Sequence, residues 1–555
     1  MNRPPIGPAA RCGVALAIAI AVLASAAPAL AHSTLVATEP RRDAIVEHPP
    51  DRVLLRFDEP VETALGSVSV YDGDGRPVDG GDIVRPTPES VAVAIDEELA
   101  RGTYTVAWRV ISADSDPING AWVFHVEAPG PQPSGIAAEV LEGADFTVSA
   151  FYLGGRFLDF LFLLLCVGGI SALVLALGAA SIEVRRRLLK ALAGSAIALG
   201  IVALLGIVFQ GAAAGGIGVG EAFSADVVTS VAETRFGRLS LIRAAIAAVI
   251  AVMVLLVLRA GGRMSRPVTV AAILLGLGLV VTPGLSGHAS VSGAVALVAD
   301  AAHVQAAAVW VGGLAFVVAA LVLARDDRWP LAASSVPRFS TMAVASVAIL
   351  VVAGTVNGYL QVRAWRGLWE TQYGVLLLVK LGLVVPLLAL GAYNNRYAVP
   401  RLRAQIASAM ERRRFLRFAG AELLVMAAVV GVTAGLVNAP PARTEVAMHG
   451  PYEQEVELGP LMAHVTVMPA TPGPNEIHLQ FEDEQPDAVR VLASLPEREI
   501  GPLRYRARRG DEARALVVET ANLSVAGDWQ LRIEARRGEF DLFTETISVP
   551  IDEES

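Results

Sequence analysis

Eight apolar stretches dominate the chain, near residues 154–180, 188–212, 239–258, 268–286, 299–324, 340–360, 374–393 and 418–437. Each is long enough for the roughly 20 residues that a helix needs to cross the hydrocarbon core. No water at that depth can satisfy a bare peptide group, so such runs are expected to be helices. A mean hydropathy of +0.53 over 555 residues agrees. The chain is too long and too apolar for one soluble domain.

The loops orient the spans. Arg185, Arg186, Arg187 and Lys190 follow the first span, and Arg259, Arg263 and Arg266 the third. Arg325, Arg328 and Arg338 follow the fifth, and seven arginines from Arg396 to Arg417 follow the seventh. The alternate loops offer Arg235, Arg238, Arg363 and Arg366. The positive-inside rule therefore predicts both termini outside. The start of the chain predicts the same. Arg3 and Arg11, an apolar run from Gly13 to Ala24, and Ala29-Leu30-Ala31 follow the order of a secretory signal peptide, residues 1–31.

Cleavage after Ala31 would make His32 the new N-terminus, placing an α-amine and an imidazole on one residue as a bidentate nitrogen chelate. Cleavage elsewhere would leave His32 as one more surface histidine. Of the two cysteines, Cys12 would leave with the signal and Cys166 sits in a span, so no intramolecular disulfide is expected. No cysteine follows the cleavage site, which argues against a lipoprotein anchor.

On either side of the spans the texture is polar and alternating. In 32–128, Val53, Leu55 and Phe57 share one face, as do Tyr104, Val106, Trp108 and Val110, and turn clusters such as Asp72-Gly73-Asp74-Gly75 separate the runs. This predicts a small antiparallel β-sandwich. A Pro/Gly-rich linker, 129–150, leads to the membrane domain, 151–438. The tail, 439–555, alternates again, as in Ala463-His464-Val465-Thr466-Val467-Met468, and predicts a second exported β domain. The fold expected is mixed: an all-β sandwich, an eight-helix transmembrane bundle and a small C-terminal β-sandwich.

The eight histidines avoid the basic loops. His32, His48 and His125 fall in the first β domain, and His449, His464 and His478 in the last. His288 and His303 fall near the outer ends of spans four and five. Asp300 and His303, three apart, share a helix face, and an ionisable residue inside a span is a functional candidate because burying charge there is costly. With His288 they form a candidate funnel for a metal ion. Arg156 and Asp159 suggest a structural ion pair, Lys380 snorkelling or a pair with Glu422, and Gly312-Gly313 close helix packing. In the tail His464, Thr466 and Met468 share a strand face. Imidazole with a soft thioether would suit Cu(I), against a reading as ordinary exposed side chains.

The run Gly102-Thr103-Tyr104-Thr105-Val106-Ala107-Trp108-Arg109-Val110-Ile111-Ser112-Ala113-Asp114-Ser115-Asp116-Pro117-Ile118-Asn119-Gly120, with His32 and Phe124, resembles the CopC family of copper-binding proteins. The membrane block resembles the CopD family, through Gly287-His288-Ala289, His303, Ala308-Val309-Trp310-Val311-Gly312-Gly313, Gly354-Thr355-Val356-Asn357-Gly358 and Asn394-Asn395-Arg396. The order is similar to fused copper-uptake proteins of the YcnJ type, and the tail is weakly similar to YtkA-like domains. The resemblance implies Cu(II) held by the N-terminal amine and imidazole, an aspartate matched by Asp114, and a second histidine in an Asp-x-His-Pro stretch. Asp116 stands at that second position. A carboxylate suits Cu(II) less well than imidazole, so the site is expected to be weaker, with His125 or His48 as substitutes if within reach.

The expectation is a copper-binding membrane protein, not an enzyme, that captures copper outside the cell membrane and mediates its import or copper resistance. Cu(II) is assigned to the first domain, with Cu(I) open for the membrane or tail. A net charge of −9 argues against nucleic acid, and no G-x-x-x-x-G-K-[ST] run offers a nucleotide site. The partners expected are copper ions, the bilayer, and an exported copper chaperone or oxidase subunit. Two rivals stay open: a delivery or assembly factor for a membrane oxidase, and a haem-binding electron carrier, for which only His288 and His303 are available.

Overall fold

The computed structural model describes residues 35–130, 146–442 and 452–551. The exceptions are 41–43, 58–59, 96–98, 114, 116, 291, 363–364, 440, 469, 471–472, 482–484, 499, 510–514, 524, 526 and 539–540. By contact the chain forms two units, Met1–Gln361 with Gln372–Pro441, and Val362–Thr371 with Ala442–Ser555.

The first unit opens with eight strands: β1 Leu35–Glu39, β2 Ile45–Val46, β3 Arg52–Phe57, β4 Val61–Tyr71, β5 Asp79–Val84, β6 Ser90–Ile95, β7 Gly102–Ser112 and β8 Pro117–Val126. They form two four-stranded sheets, β1-β3-β6-β5 and β2-β8-β7-β4. The alternation that predicts strands also fills the space between sheets: Val53, Leu55 and Phe57 meet Val106, Trp108, Val110 and Phe124 in one core.

The register fixes which residues share an end. β7 and β8 pair from Gly102↔Val126 to Ile111↔Pro117, and Ser115, whose N–H donates to the Ser112 carbonyl, belongs to the turn between them. Ser112 pairs with Val61 at the start of β4, and Leu35 at the start of β1 pairs with Phe57 at the end of β3. The first described residue of the domain therefore belongs to the same end as the β7–β8 turn. His125 pairs with Thr103, eight residues of strand or about 27 Å away.

Among the described residues eight helices are long and apolar enough to span a bilayer: α1 Thr147–Ala176, α2 Ile182–Gly215, α3 Arg235–Arg259, α4 Arg266–Ser286, α5 Ala294–Leu323, α6 Arg328–Val362, α7 Gln372–Arg403 and α8 Ala409–Asn438. Ser181 caps α2 and Thr234 caps α3, and Ser408 with Glu411 forms a capping box on α8. Large apolar side chains such as Leu274, Val385 and Leu424 stay exposed, as a lipid-facing surface requires. Glycines let α1 and α5 touch backbone to backbone. A Cβ on Gly168 would fall 2.1 Å from the Ala308 carbonyl oxygen, and one on Gly312 2.0 Å from that of Leu164. Gly312 thus serves helix packing, as expected. This crossing coincides with a π-helical turn in α5, Ala308–Gly312, a local irregularity that often accompanies functional sites.

Asp159 of α1 is held by Arg243 of α3, whose Nε also donates to Thr282 Oγ1 of α4 at 2.9 Å. The expected pairing with Arg156 gives way because Arg243 enters from a neighbouring helix. The Arg156 guanidinium instead donates to the Tyr152 hydroxyl at 2.9 Å and lies over the Phe236 ring. Both Asp159 and Arg243 are buried, and removing one partner of a buried pair costs about 3–5 kcal/mol through the charge left behind. Asp159→Asn or Arg243→Met alone should therefore lower the unfolding temperature in detergent sharply. The double variant should recover most of the loss, whereas additive losses would show that the pair is not coupled.

The second unit holds nine strands: β9 Tyr452–Leu458, β10 Leu461–Met468, β11 Gly473–Phe481, β12 Ala488–Leu495, β13 Ile500–Arg506, β14 Arg508–Arg509, β15 Ala515–Leu523, β16 Gly527–Arg537 and β17 Asp541–Ile551. They form sheets β14-β15-β11-β10-β9 and β13-β12-β16-β17, closed over a core around the fully buried Trp529.

Candidate functional site

His32, Asp114 and Asp116 lie outside the described residues. Their described neighbours are informative. Leu35 follows His32 by three residues, a reach of about 10 Å, and belongs to the end of the sandwich that carries the β7–β8 turn. The spare histidines are at the other end. His125 shares a 2.9 Å hydrogen bond with Thr103 Oγ1, which also donates to the Gly130 carbonyl. His48 closely follows β2, whose Ile45 pairs with His125. Both therefore lie at the end of the sandwich away from the β7–β8 turn.

The end with the β7–β8 turn rests on the membrane helices. Gln210 of α2 donates from Nε2 to the Ser115 carbonyl oxygen at 2.7 Å, and its Oε1 accepts from the Tyr152 hydroxyl at 2.6 Å. The Glu62 carboxylate accepts from the Arg235 backbone N–H at 3.1 and 3.3 Å, where the N-terminus of α3 favours an anion. Arg109 of β7 lies against Gly216, which ends α2 in the left-handed region. Burial there pulls the Arg109 guanidinium below its ordinary pKa.

Within the bundle, α5 supplies Asp300 and His303, both half-buried. His303 lies against α6: a Cβ on Gly354 would come within 3.2 Å of its Cε1 and 3.4 Å of its Nδ1. That Nδ1 is buried and has no hydrogen-bond partner among the described residues. Asp300 faces α4, where a Cβ on Gly284 would fall 2.7 Å from Oδ2. Lys380 of α7 acts electrostatically on both Asp300 and His303. Glu422, the other partner considered for Lys380, accepts instead from Asn394 Nδ2 at 2.7 Å. His288 opens a 3-10 turn two residues beyond α4, and its side chain lies outside what is described. Helix α5 thus brings an imidazole nitrogen and a carboxylate oxygen to neighbouring positions. Among the described residues no group of three or more His, Cys, Asp and Glu is close enough to enclose a metal.

In the tail, His464 and Met468 do share the outer face of β10, while Ala463, Val465 and Val467 are buried. They are four residues apart, about 13 Å along a strand, too far for one ion. Sequence reasoning passed over His478, which pairs directly with Thr466 between them and shares a 3.0 Å contact with Glu476.

Three families match in order along the chain: the CopC domain at residues 35–127, the copper resistance protein D-like N-terminal domain at 147–298, and copper resistance protein D at 333–436. The copper transport protein CutJ of Bacillus subtilis (strain 168) is 27% identical over 539 residues, covering 93% of this chain and 96% of that one. Copper resistance protein C of Escherichia coli is 30% identical over 114 residues, covering 19% of this chain and 90% of that one. The crystal structure of CopC from Methylosinus trichosporium OB3b is 35% identical, covering 18% of this chain and 95% of that chain, with a TM-score of 0.16. That of PcoC from Escherichia coli is 28% identical, covering 17% and 99%, also at 0.16.

Proposed function

Because the chain belongs to the copper resistance families CopC and CopD, fused in one polypeptide, we propose that it captures copper outside the cell membrane and carries it inward. Cu(II) is taken by the amine and imidazole of His32 with oxygen from Asp114, and Asp116 adds charge. Asp300 and His303 form the site inside the bundle, with His288 at its mouth. The observation that carries this reading is His303. An imidazole whose buried Nδ1 has no hydrogen-bond partner among the described residues leaves a nitrogen donor unused in an apolar span, and nitrogen and oxygen donors suit copper.

The outside placement of both termini rests on the arginine-poor loops and on the first β domain. That domain touches the end of α2 and the start of α3, the same side as the loop carrying only Arg235 and Arg238. A reporter fused after Ser555 should be active only when exported. Cytoplasmic activity would overturn the topology.

The test of function is the copper content of cells. Overexpression should raise it and deletion lower it. A rise on deletion would instead mean that the protein protects by export. Equal copper in all strains, with a copper oxidase left unmetallated, would favour the delivery factor.

A further inference from the structure

Ser115 stands between the two aspartates that the Cu(II) reading uses, and it is inserted into the membrane unit. It is 1% exposed and adopts a φ of 75°, a left-handed conformation uncommon for a residue with a side chain. Its Oγ is buried without a hydrogen-bond partner among the described residues, while its carbonyl accepts from Gln210. Gln210 itself is 1% exposed. A buried amide in an apolar span is costly unless both of its ends are satisfied. Here the oxygen is satisfied by Tyr152 and the nitrogen by the β7–β8 turn. Glu62 on the N-terminus of α3 and Arg109 on the end of α2 add further contacts between the β domain and these two helices. The polar groups continue inward. Arg156 bonds Tyr152, Asp159 lies one turn further along α1, and Arg243 joins Asp159 to Thr282 on α4. Two residues after Thr282, Gly284 faces Asp300.

We infer that Gln210 is a positioning residue that, through Ser115, seats the β7–β8 turn on α1 and α2, and that copper leaves the β domain at this fixed junction. This rests on the transport reading above. It adds that the exported domain delivers from a docked position and does not swing away to fetch each ion. Gln210 acts through the Ser115 backbone, so its loss should slow delivery without weakening capture.

The test compares the full-length wild-type protein with Gln210→Met and Gln210→Glu. Met keeps the size and removes both hydrogen bonds. Glu still accepts from Tyr152 but has no N–H for Ser115. In either variant amide exchange in the 112–118 segment should accelerate, and the maximal rate of copper accumulation should fall, each by about tenfold, the scale of one buried hydrogen bond. The Cu(II) concentration that half-saturates the purified protein should stay within about a factor of two, because the ligands themselves are untouched. Wild-type exchange and accumulation in both variants would overturn the inference. So would a loss of Cu(II) affinity as large as the loss of rate, since Gln210 would then merely fold the metal loop. If the wild type accumulates no more copper than the deletion strain, the transport reading fails. Exchange then decides the docking alone: accelerated exchange in the variants upholds it, and unchanged exchange removes it.

Discussion

His303→Ala should reduce copper accumulation to the level of the deletion strain while the protein still inserts and folds. Among the described residues the Nδ1 has no hydrogen-bond partner, so removing the imidazole strands none of them on that side. What is lost is packing against Gly354 and a nitrogen donor. A truncation of this kind costs a few kcal/mol at most when the site relaxes, well short of unfolding an eight-helix bundle. The effect on copper should be far larger, because Asp300 on the same helix would be left without the neighbouring nitrogen donor that favours copper. Gly354→Val gives an independent check that leaves every donor in place. Its Cβ would already crowd the imidazole at 3.2 Å, and the added methyls would drive the ring from its seat. Loss of accumulation in both variants, at equal membrane expression, would assign the defect to the ring's position. Wild-type accumulation in His303→Ala would reduce His303 to a packing residue.

The spans were legible because an apolar run of membrane length has one structural outcome, and the strands because alternation with period two fills a sandwich. The face shared by His464 and Met468 was legible for the same reason. Their separation needed the strand's rise as well as its alternation. Arg243 was overlooked because it follows Arg235 and Arg238 closely. Helical phase alone does not say which of them meets an acid; that depends on α1 lying beside α3. The Gln210–Ser115 contact joins residues 95 apart in sequence, and neither carries a local signature of it. Gly354 is similar. Its pairing with His303 follows from how α5 and α6 pack, which a glycine in an apolar run does not announce. The ends of the first sandwich were the least legible of all. Only the strand register shows that His48 and His125 sit at the end away from the β7–β8 turn, whereas the N-terminal strand begins at the turn's own end.

That register sharpens the expectation for His32. Purified full-length protein with a processed N-terminus should lose nearly all Cu(II) binding at the exported domain in His32→Ala, because one substitution removes the imidazole and with it the chelate. A free α-amine titrates near pH ~8 and an ordinary imidazole near ~6.5, and both must be unprotonated to bind metal. Affinity should therefore be highest above pH ~8 and fall on acidification, by about tenfold per pH unit while one proton is displaced and by about a hundredfold per unit once both are. In the proposed site Asp114 and Asp116 would bring oxygen and negative charge but no second imidazole. His48 and His125 lie at the end of the sandwich away from the β7–β8 turn. Asp116→His should accordingly tighten Cu(II) binding, since imidazole suits the metal's tetragonal preference better than carboxylate. The decisive comparison adds one residue ahead of His32 in the mature protein, with mass spectrometry confirming the new terminus. That change keeps the imidazole but converts the α-amine into an amide, which no longer offers a basic lone pair. A large loss of affinity, together with a shallower pH dependence, would make the amine a ligand. Equal affinity and an unchanged pH profile would mean that the amine takes no part, and that His32 contributes its imidazole alone.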